Sequence, residues 1–243
     1  MDRKNGTVYI IGAGPGDPGL ITVKGLKALR EADCVLYDLL SAPELLNETK
    51  DACEKICVGK ADGLYLKEQD EINELLYRKS SEFDKVARLK GGDPFIFSRG
   101  HQEAKYLKDK GVDVAVIPGI TSAIAGPEDF GIPLTVKHEI SSVAVITGRK
   151  RDIDAPIEAP ACGTLVYLMA VANISNVVKA IRKSGREDST PCAFIERATR
   201  EDARIVRATI GTIEEEARKS GVKPPAVFVV GKAIDHAIEN IRS

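Results

Sequence analysis

Val8-Tyr9-Ile10-Ile11 runs without a break into Gly12-Ala13-Gly14-Pro15-Gly16-Asp17-Pro18-Gly19. Four apolar residues bounded by turn formers predict a buried strand. The glycines and prolines close it at once, and an apolar period over residues 21–30 predicts a helix. Strand, small-residue turn and helix open a β-α-β unit, in which ligands sit beyond the carboxyl ends of the strands. Small residues there let a ligand approach the backbone closely. A dinucleotide-binding turn places its third glycine one residue later than this G-x-G-x-G. Asp17 would also set a negative charge where a pyrophosphate needs helix N–H groups. The loop therefore suits a ligand without phosphates.

The alternation continues outward. Residues 34–37, 85–89 and 112–117 predict strands, with helices over 68–78 and 103–110. This order predicts a mostly parallel sheet with helices on both faces. Residues 126–139 carry Pro127, Gly131 and Pro133 with few apolar residues in period, and predict a connection. Beyond it, strands are predicted over 142–147, 164–168, 193–196, 204–208 and 226–230, and helices over 174–183 and 233–241. A further helix ends at Gly221 and opens at Thr212, which with Glu215 has the capping-box pattern. Two α/β lobes, residues 1–130 and 131–243, fit better than one continuous sheet.

Composition excludes several classes. The chain has 243 residues, 43% hydrophobic and 29% charged, the mix of a globular protein. Thirty-five basic and 36 acidic residues leave a net charge of -1, so no charge excess advertises nucleic acid or a membrane surface. The five cysteines, Cys34, Cys53, Cys57, Cys162 and Cys192, form no C-x-x-C pair and read as small buried hydrophobes in a reducing compartment. Three scattered histidines predict no metal site. The N-terminus lacks a signal core, and no apolar run approaches the roughly 20 residues of a membrane span, so a cytoplasmic protein is expected.

Two more strand-end loops resemble the first in composition. Arg88-Leu89-Lys90-Gly91-Gly92-Asp93-Pro94 continues to Gly100, and Ile117-Pro118-Gly119-Ile120-Thr121-Ser122-Ala123 follows the next strand. The backbone of Gly91 and Gly92 can offer N–H and C=O groups to a flat polar ligand, and Asp93 can accept from hydroxyl or ammonium donors. Asp38 stands at the end of the second strand.

These segments resemble the uroporphyrinogen-III C-methyltransferases, a branch of the tetrapyrrole methyltransferases. The family pattern V-G-A-G-P-G-D-P-x-L-L-T-x-K-G is matched at residues 11–25. R-L-K-G-G-D-P-F-x-F-G-R-G is matched at 88–100 with Ser98 for a glycine, P-G-x-T-S-A at 118–123, and G-I-P-L-T at 131–135. The likeness extends more loosely over most of the chain. Departures stand at Tyr65 and Glu68, at His101 and Gln102, and at Val136 and Lys137. The resemblance implies two α/β lobes with a cofactor cleft between them. It implies S-adenosylmethionine as cofactor, with no metal. The cofactor would be held by Pro15, Gly91, Gly92, Asp93, Ile96, Thr121, Ser122, Met169 and Ala198, with Ala226 and Val227 along the adenine.

The resemblance also implies that Asp38 accepts a proton and Lys60 donates one. The expected reaction is two successive methylations of uroporphyrinogen III to precorrin-2, for sirohaem or cobalamin formation. A later precorrin methyltransferase and a non-catalytic tetrapyrrole-binding or cofactor-binding protein are the alternatives. The substrate carries eight carboxylates, and Lys90, Arg99, Lys137, Arg149, Lys150 and Arg151 are candidates to bind them through charge-assisted pairs. A homodimer is expected, with no nucleic-acid or membrane partner.

Overall fold

The computed structural model of the chain describes residues 5–39, 41–59, 68–150, 155–239 and 241. They fall into two compact units, Met1–Thr121 and Ser122–Ser243. In the first, the strands are β1 (Thr7–Gly12), β2 (Cys34–Tyr37), β3 (Glu54–Cys57), β4 (Lys85–Lys90) and β5 (Asp113–Ile117), with helices α1 (Val23–Glu31), α2 (Gln69–Glu82) and α3 (Gly100–Asp109). The sheet order is β3-β2-β4-β1-β5, and every pair is parallel. Period-2 alternation sends side chains to two cores. Val8, Ile10 and Val86 pack with Ile72, Leu75 and Leu76 of α2 and Leu107 of α3. Ile11, Ala87 and Leu89 pack with Leu29 of α1. Helices therefore cover both faces.

The second unit contains α4 (Ser122–Asp129), β6 (Val143–Thr147), β7 (Thr164–Leu168), α5 (Ile174–Lys183), β8 (Pro191–Glu196), β9 (Arg204–Thr209), α6 (Ile213–Lys219) and β10 (Ala226–Val230). Its sheet runs β6-β7-β10-β8-β9. Tyr167, Phe194 and Phe228 pack with Val177, Val178 and Ile181 of α5 on one face, and Phe194 stacks on Phe228 at 4.6 Å. Val166, Ile195, Val227 and Val229 form the other face with Ala123 of α4.

Several expectations are corrected. A mostly parallel sheet holds only for the first unit; in the second, β6 and β7 are parallel and the other three pairs antiparallel. Alternation of strands and helices does not fix strand direction when a strand inserts between earlier ones, as β10 does between β7 and β8. The stretch read as a connection from 126 begins inside α4, which keeps Pro127 in its last turn. The helix expected over 233–241 is a 3₁₀ turn, Lys232–His236, ended by Ala237 in extended conformation. Thr212 does precede α6, but its hydroxyl turns back to the Thr209 N–H at 3.2 Å and Glu215 pairs with Lys219, so no capping box forms there. Helix α2 carries that reciprocal feature instead: Glu71 accepts the Glu68 N–H at 3.1 Å. No helix among the described residues is long and apolar enough to cross a membrane.

Burial governs cysteine chemistry. Cys34 and Cys192 are fully buried, and burial pushes the Cys34 thiol up to about 12 and raises Cys192 as well. The folded state keeps the Cys34 proton up to about pH 12, whereas the unfolded chain releases it near its ordinary 9.0. Its contribution to stability is therefore full below pH 9.0 and lost as pH rises toward about 12. Iodoacetamide at mildly alkaline pH, followed by mass spectrometry, should leave both cysteines unlabelled in the folded protein. Labelling as fast as in the denatured chain would contradict this.

Candidate active site

Because β1, β2, β4 and β5 are parallel, their carboxyl ends lie on one edge of the first sheet. There the three glycine loops interlock. The Ala13 N–H donates to the Lys90 carbonyl at 2.7 Å, and Gly14 and Gly92 exchange backbone hydrogen bonds at 3.3 and 2.7 Å. A Cβ on Gly12 would lie 2.5 Å from the Gly119 Cα, and one on Gly119 only 2.3 Å from the Gly92 carbonyl oxygen. Only bare backbone allows the crossing. Gly92 adds a φ of +67°, the left-handed region. Asp93 locks the junction: its Oδ1 accepts the Phe95 N–H at 2.8 Å and its Oδ2 the Gly119 N–H at 3.1 Å. The structure thus brings Gly91, Gly92, Asp93 and Thr121 together near Pro15. Ile96 is exposed in the same loop, between exposed Phe95 and Phe97.

Asp38 follows β2 on this edge. Its Oδ1 accepts from Arg88 Nη2 at 2.6 Å, and its Oδ2 lies 3.7 Å from Lys90 Nζ. Arg88 and Lys90 are both buried, and both turn to fully buried Glu103 of α3, whose Oε1 lies 3.2 Å from Arg88 Nε and 3.2 Å from Lys90 Nζ. The Arg88 Nη1 also donates to the Leu89 carbonyl at 3.1 Å. Burial works against the Arg88 charge, and Glu103 and Asp38 together outweigh it, so Arg88 is held above the ordinary arginine value. Burial, then the neighbouring Arg88 guanidinium, pulls Lys90 below the ordinary lysine value despite both carboxylates. The Asp38 side chain is 27% exposed, so the cluster opens outward at that carboxylate. Gly59, after β3, packs on this corner: a Cβ there would lie 2.6 Å from the Leu39 nitrogen. Lys60 lies outside the described residues, as do Tyr65 and Arg151.

In the second unit, Met169 follows β7 and Ala198 follows β8. Leu168 pairs with Val227 and Glu196 with Ala226, so these positions share one end of that sheet. A Cβ on Gly126 of α4 would stand 3.4 Å from both the Ala198 Cβ and the Val227 Cγ2. Asp129, also on α4, accepts the Thr199 N–H at 2.8 Å. Met169, Arg197 and Thr199 all have left-handed φ, at 58°, 48° and 66°. Such non-glycine positions carry strain that surrounding structure must hold, and they cluster at ligand sites. Met169 is 46% exposed, whereas Ala198 and Val227 are buried. Ser122 is the half-buried first residue of α4.

The basic candidates divide. Lys90 is corrected: at 4% exposure, with its ammonium committed to Glu103 and Asp38, it cannot reach a carboxylate outside the fold. Arg99, Lys137 and Arg149 are exposed, and Lys150 pairs with Glu158 at 3.3 Å. Arg88 and Glu103 received no role in the sequence reading. The available signal was Arg88 between apolar Ala87 and Leu89 in the middle of a strand, since a charge buried there must be paired.

Residues 7–214 match the family model of tetrapyrrole (corrin/porphyrin) methylases. A uroporphyrinogen-III C-methyltransferase of Methanocaldococcus jannaschii is 45% identical over 235 residues, 95% of this chain and 97% of that protein. The crystal structure of a uroporphyrin-III C-methyltransferase from Thermus thermophilus in complex with S-adenosylhomocysteine is 36% identical. It superposes with a TM-score of 0.80 over 95% of this chain and 99% of that one. A cobalt precorrin-4 methyltransferase is 29% identical, with a TM-score of 0.81 over 94% and 96% of the two chains. A family match over most of the chain, and relatives alike along nearly their whole length, mean that the chain belongs to the tetrapyrrole methylases.

Proposed function

We propose that this protein is an S-adenosylmethionine-dependent C-methyltransferase that converts uroporphyrinogen III to precorrin-2 by two successive transfers. The observation that carries the reading is the single edge where Asp38, Gly91–Asp93 and Gly119–Thr121 meet. The donor set there suits S-adenosylmethionine. It offers backbone groups of glycine loops and an exposed apolar Ile96, and the Asp93 charge is already satisfied by two N–H donors. Pro15, Gly91, Gly92, Asp93, Ile96 and Thr121 would hold the cofactor from the first unit. Ser122, Met169, Ala198, Ala226 and Val227 would hold it from the second.

When bound, S-adenosylmethionine supplies an activated sulfonium methyl group. The protein's part is to align the acceptor carbon and exclude water. A methyl joining an electron-rich pyrrole carbon leaves the macrocycle with one positive charge in excess, and loss of one proton restores it. Asp38 takes that proton at Oδ2, the oxygen not bound by Arg88. Lys60 is the matching acid in this reading. Arg99, Lys137 and Arg149 are the exposed cations for the substrate carboxylates.

The deciding experiment supplies labelled S-adenosylmethionine with uroporphyrinogen III or with later precorrins and identifies the product. Precorrin-2 from the first alone is expected; methylation of a later precorrin alone would overturn the reading. Asp93→Ala should weaken S-adenosylmethionine binding by about 1.5–3 kcal/mol, because it frees both loops it ties. Unchanged affinity by calorimetry in a folded variant would remove Asp93 from the site. In the same reading the protein acts in the cytoplasm as a homodimer. Sedimentation at micromolar concentration should give twice the 26.2 kDa chain mass, and a 26.2 kDa particle would refute the dimer.

A further inference from the structure

Glu103 occupies a position that stability alone does not justify. It is 0% exposed, and its Oε1 serves Arg88 Nε at 3.2 Å, Lys90 Nζ at 3.2 Å and Gln69 Nε2 at 3.4 Å. Its Oε2 is buried with no hydrogen-bond partner among the described residues. A buried carboxylate of this kind carries a desolvation cost that apolar packing would avoid. Gln69 is itself turned by Asn73 Oδ1 at 3.0 Å, so α2 also supports the arrangement.

We propose that Glu103 is a positioning residue for Asp38, which draws Arg88 and Lys90 partly away from that carboxylate and so leaves it able to take and release a proton during methyl transfer. The inference rests on the reading of Asp38 as proton acceptor. The groups facing Asp38 among the described residues are Arg88 and Lys90 of β4, with Glu103 of α3 behind them. Two cations stand against two carboxylates. With Glu103 neutral, both cations would face Asp38 alone, and placing a proton on it would cost more. The site would still bind cofactor, but the proton step would slow.

Glu103→Gln keeps the shape and removes the charge. S-adenosylhomocysteine affinity should stay within about twofold of wild type, while kcat falls about tenfold or more. The acid limb of the kcat–pH profile should move to lower pH, because the acceptor ionises more readily beside two unshared cations. Adding Lys90→Met restores one cation against one carboxylate and should return the limb and most of kcat. A Glu103→Gln enzyme with wild-type kcat and limb would overturn the inference. So would a lower kcat with an unmoved limb and no recovery in the double variant, the mark of a merely structural role. If Glu103→Gln does not fold, the double variant decides: a wild-type limb supports the inference, and a folded but inactive or displaced one overturns it. Asp38→Asn is measured alongside. If it keeps a rate within about twofold of wild type, the reading of Asp38 itself fails. If it is inactive while Glu103→Gln matches wild type, only the role of Glu103 fails.

Discussion

Arg88→Leu should destabilise the first unit by about 3–5 kcal/mol, the usual cost of removing one partner from a buried ion pair. The guanidinium is 2% exposed and binds Asp38 and Glu103 at 2.6 and 3.2 Å, as well as the Leu89 carbonyl. Leucine would fill much of the space but leave Glu103 with Lys90 and the Gln69 amide only, and Asp38 without its guanidinium partner. Denaturant titration measures the loss as a lower midpoint at unchanged slope. Arg30→Leu is the comparison: its 2.6 Å bond to Glu48 is exposed at both ends, and stability should change far less. If the two variants were equally stable, the buried cluster would not be a structural anchor.

Asp38→Asn should lower the rate of methyl transfer by about 10²–10⁴-fold, the range for loss of a general acid–base group. Asparagine can still accept the Arg88 hydrogen bond, so folding should be retained. Affinity for S-adenosylhomocysteine should also be retained, since the loops proposed to hold the cofactor from the first unit lie after β1, β4 and β5 while Asp38 follows β2. The loss should therefore appear in kcat and not in the dissociation constant of the cofactor. A rate within about twofold of wild type would remove Asp38 from the proton step.

Strands β2 and β7 were legible residue by residue, because each is a short apolar run closed by polar or turn residues. Strand β3 was not. Glu54-Lys55-Ile56-Cys57 is half charged, as an edge strand can be, and its place was set by pairing with β2. That strand delivers Gly59 to Asp38, so one corner of the site was hidden with it. The three loops stood out through glycine and proline. The work of Asp93 did not, because its partners are N–H groups at 95 and 119, on different loops. Lys90 read as a cation for the substrate carboxylates; only the tertiary placement of α3 shows Glu103 beneath it. Pairings across such separations leave no periodic trace in sequence.

The insertion of late strands between early ones bears on how the chain must be made. Thr7 of β1 pairs with Lys85 and Asp113, so this apolar strand of the first unit leaves the ribosome long before either neighbour exists. In the second unit, β10 fills the gap between β7 and β8, and the sheet stays open until residues 226–230 have been translated. Pairings this distant in sequence are slow to close, and the unpaired strands are sticky while they wait. Translation speed, temperature and chaperone supply should therefore govern soluble yield more than they would for a hairpin-built protein of equal stability. Any shortening that removes β10 takes out an interior strand of the second sheet and leaves two raw edges, not a trimmed tail.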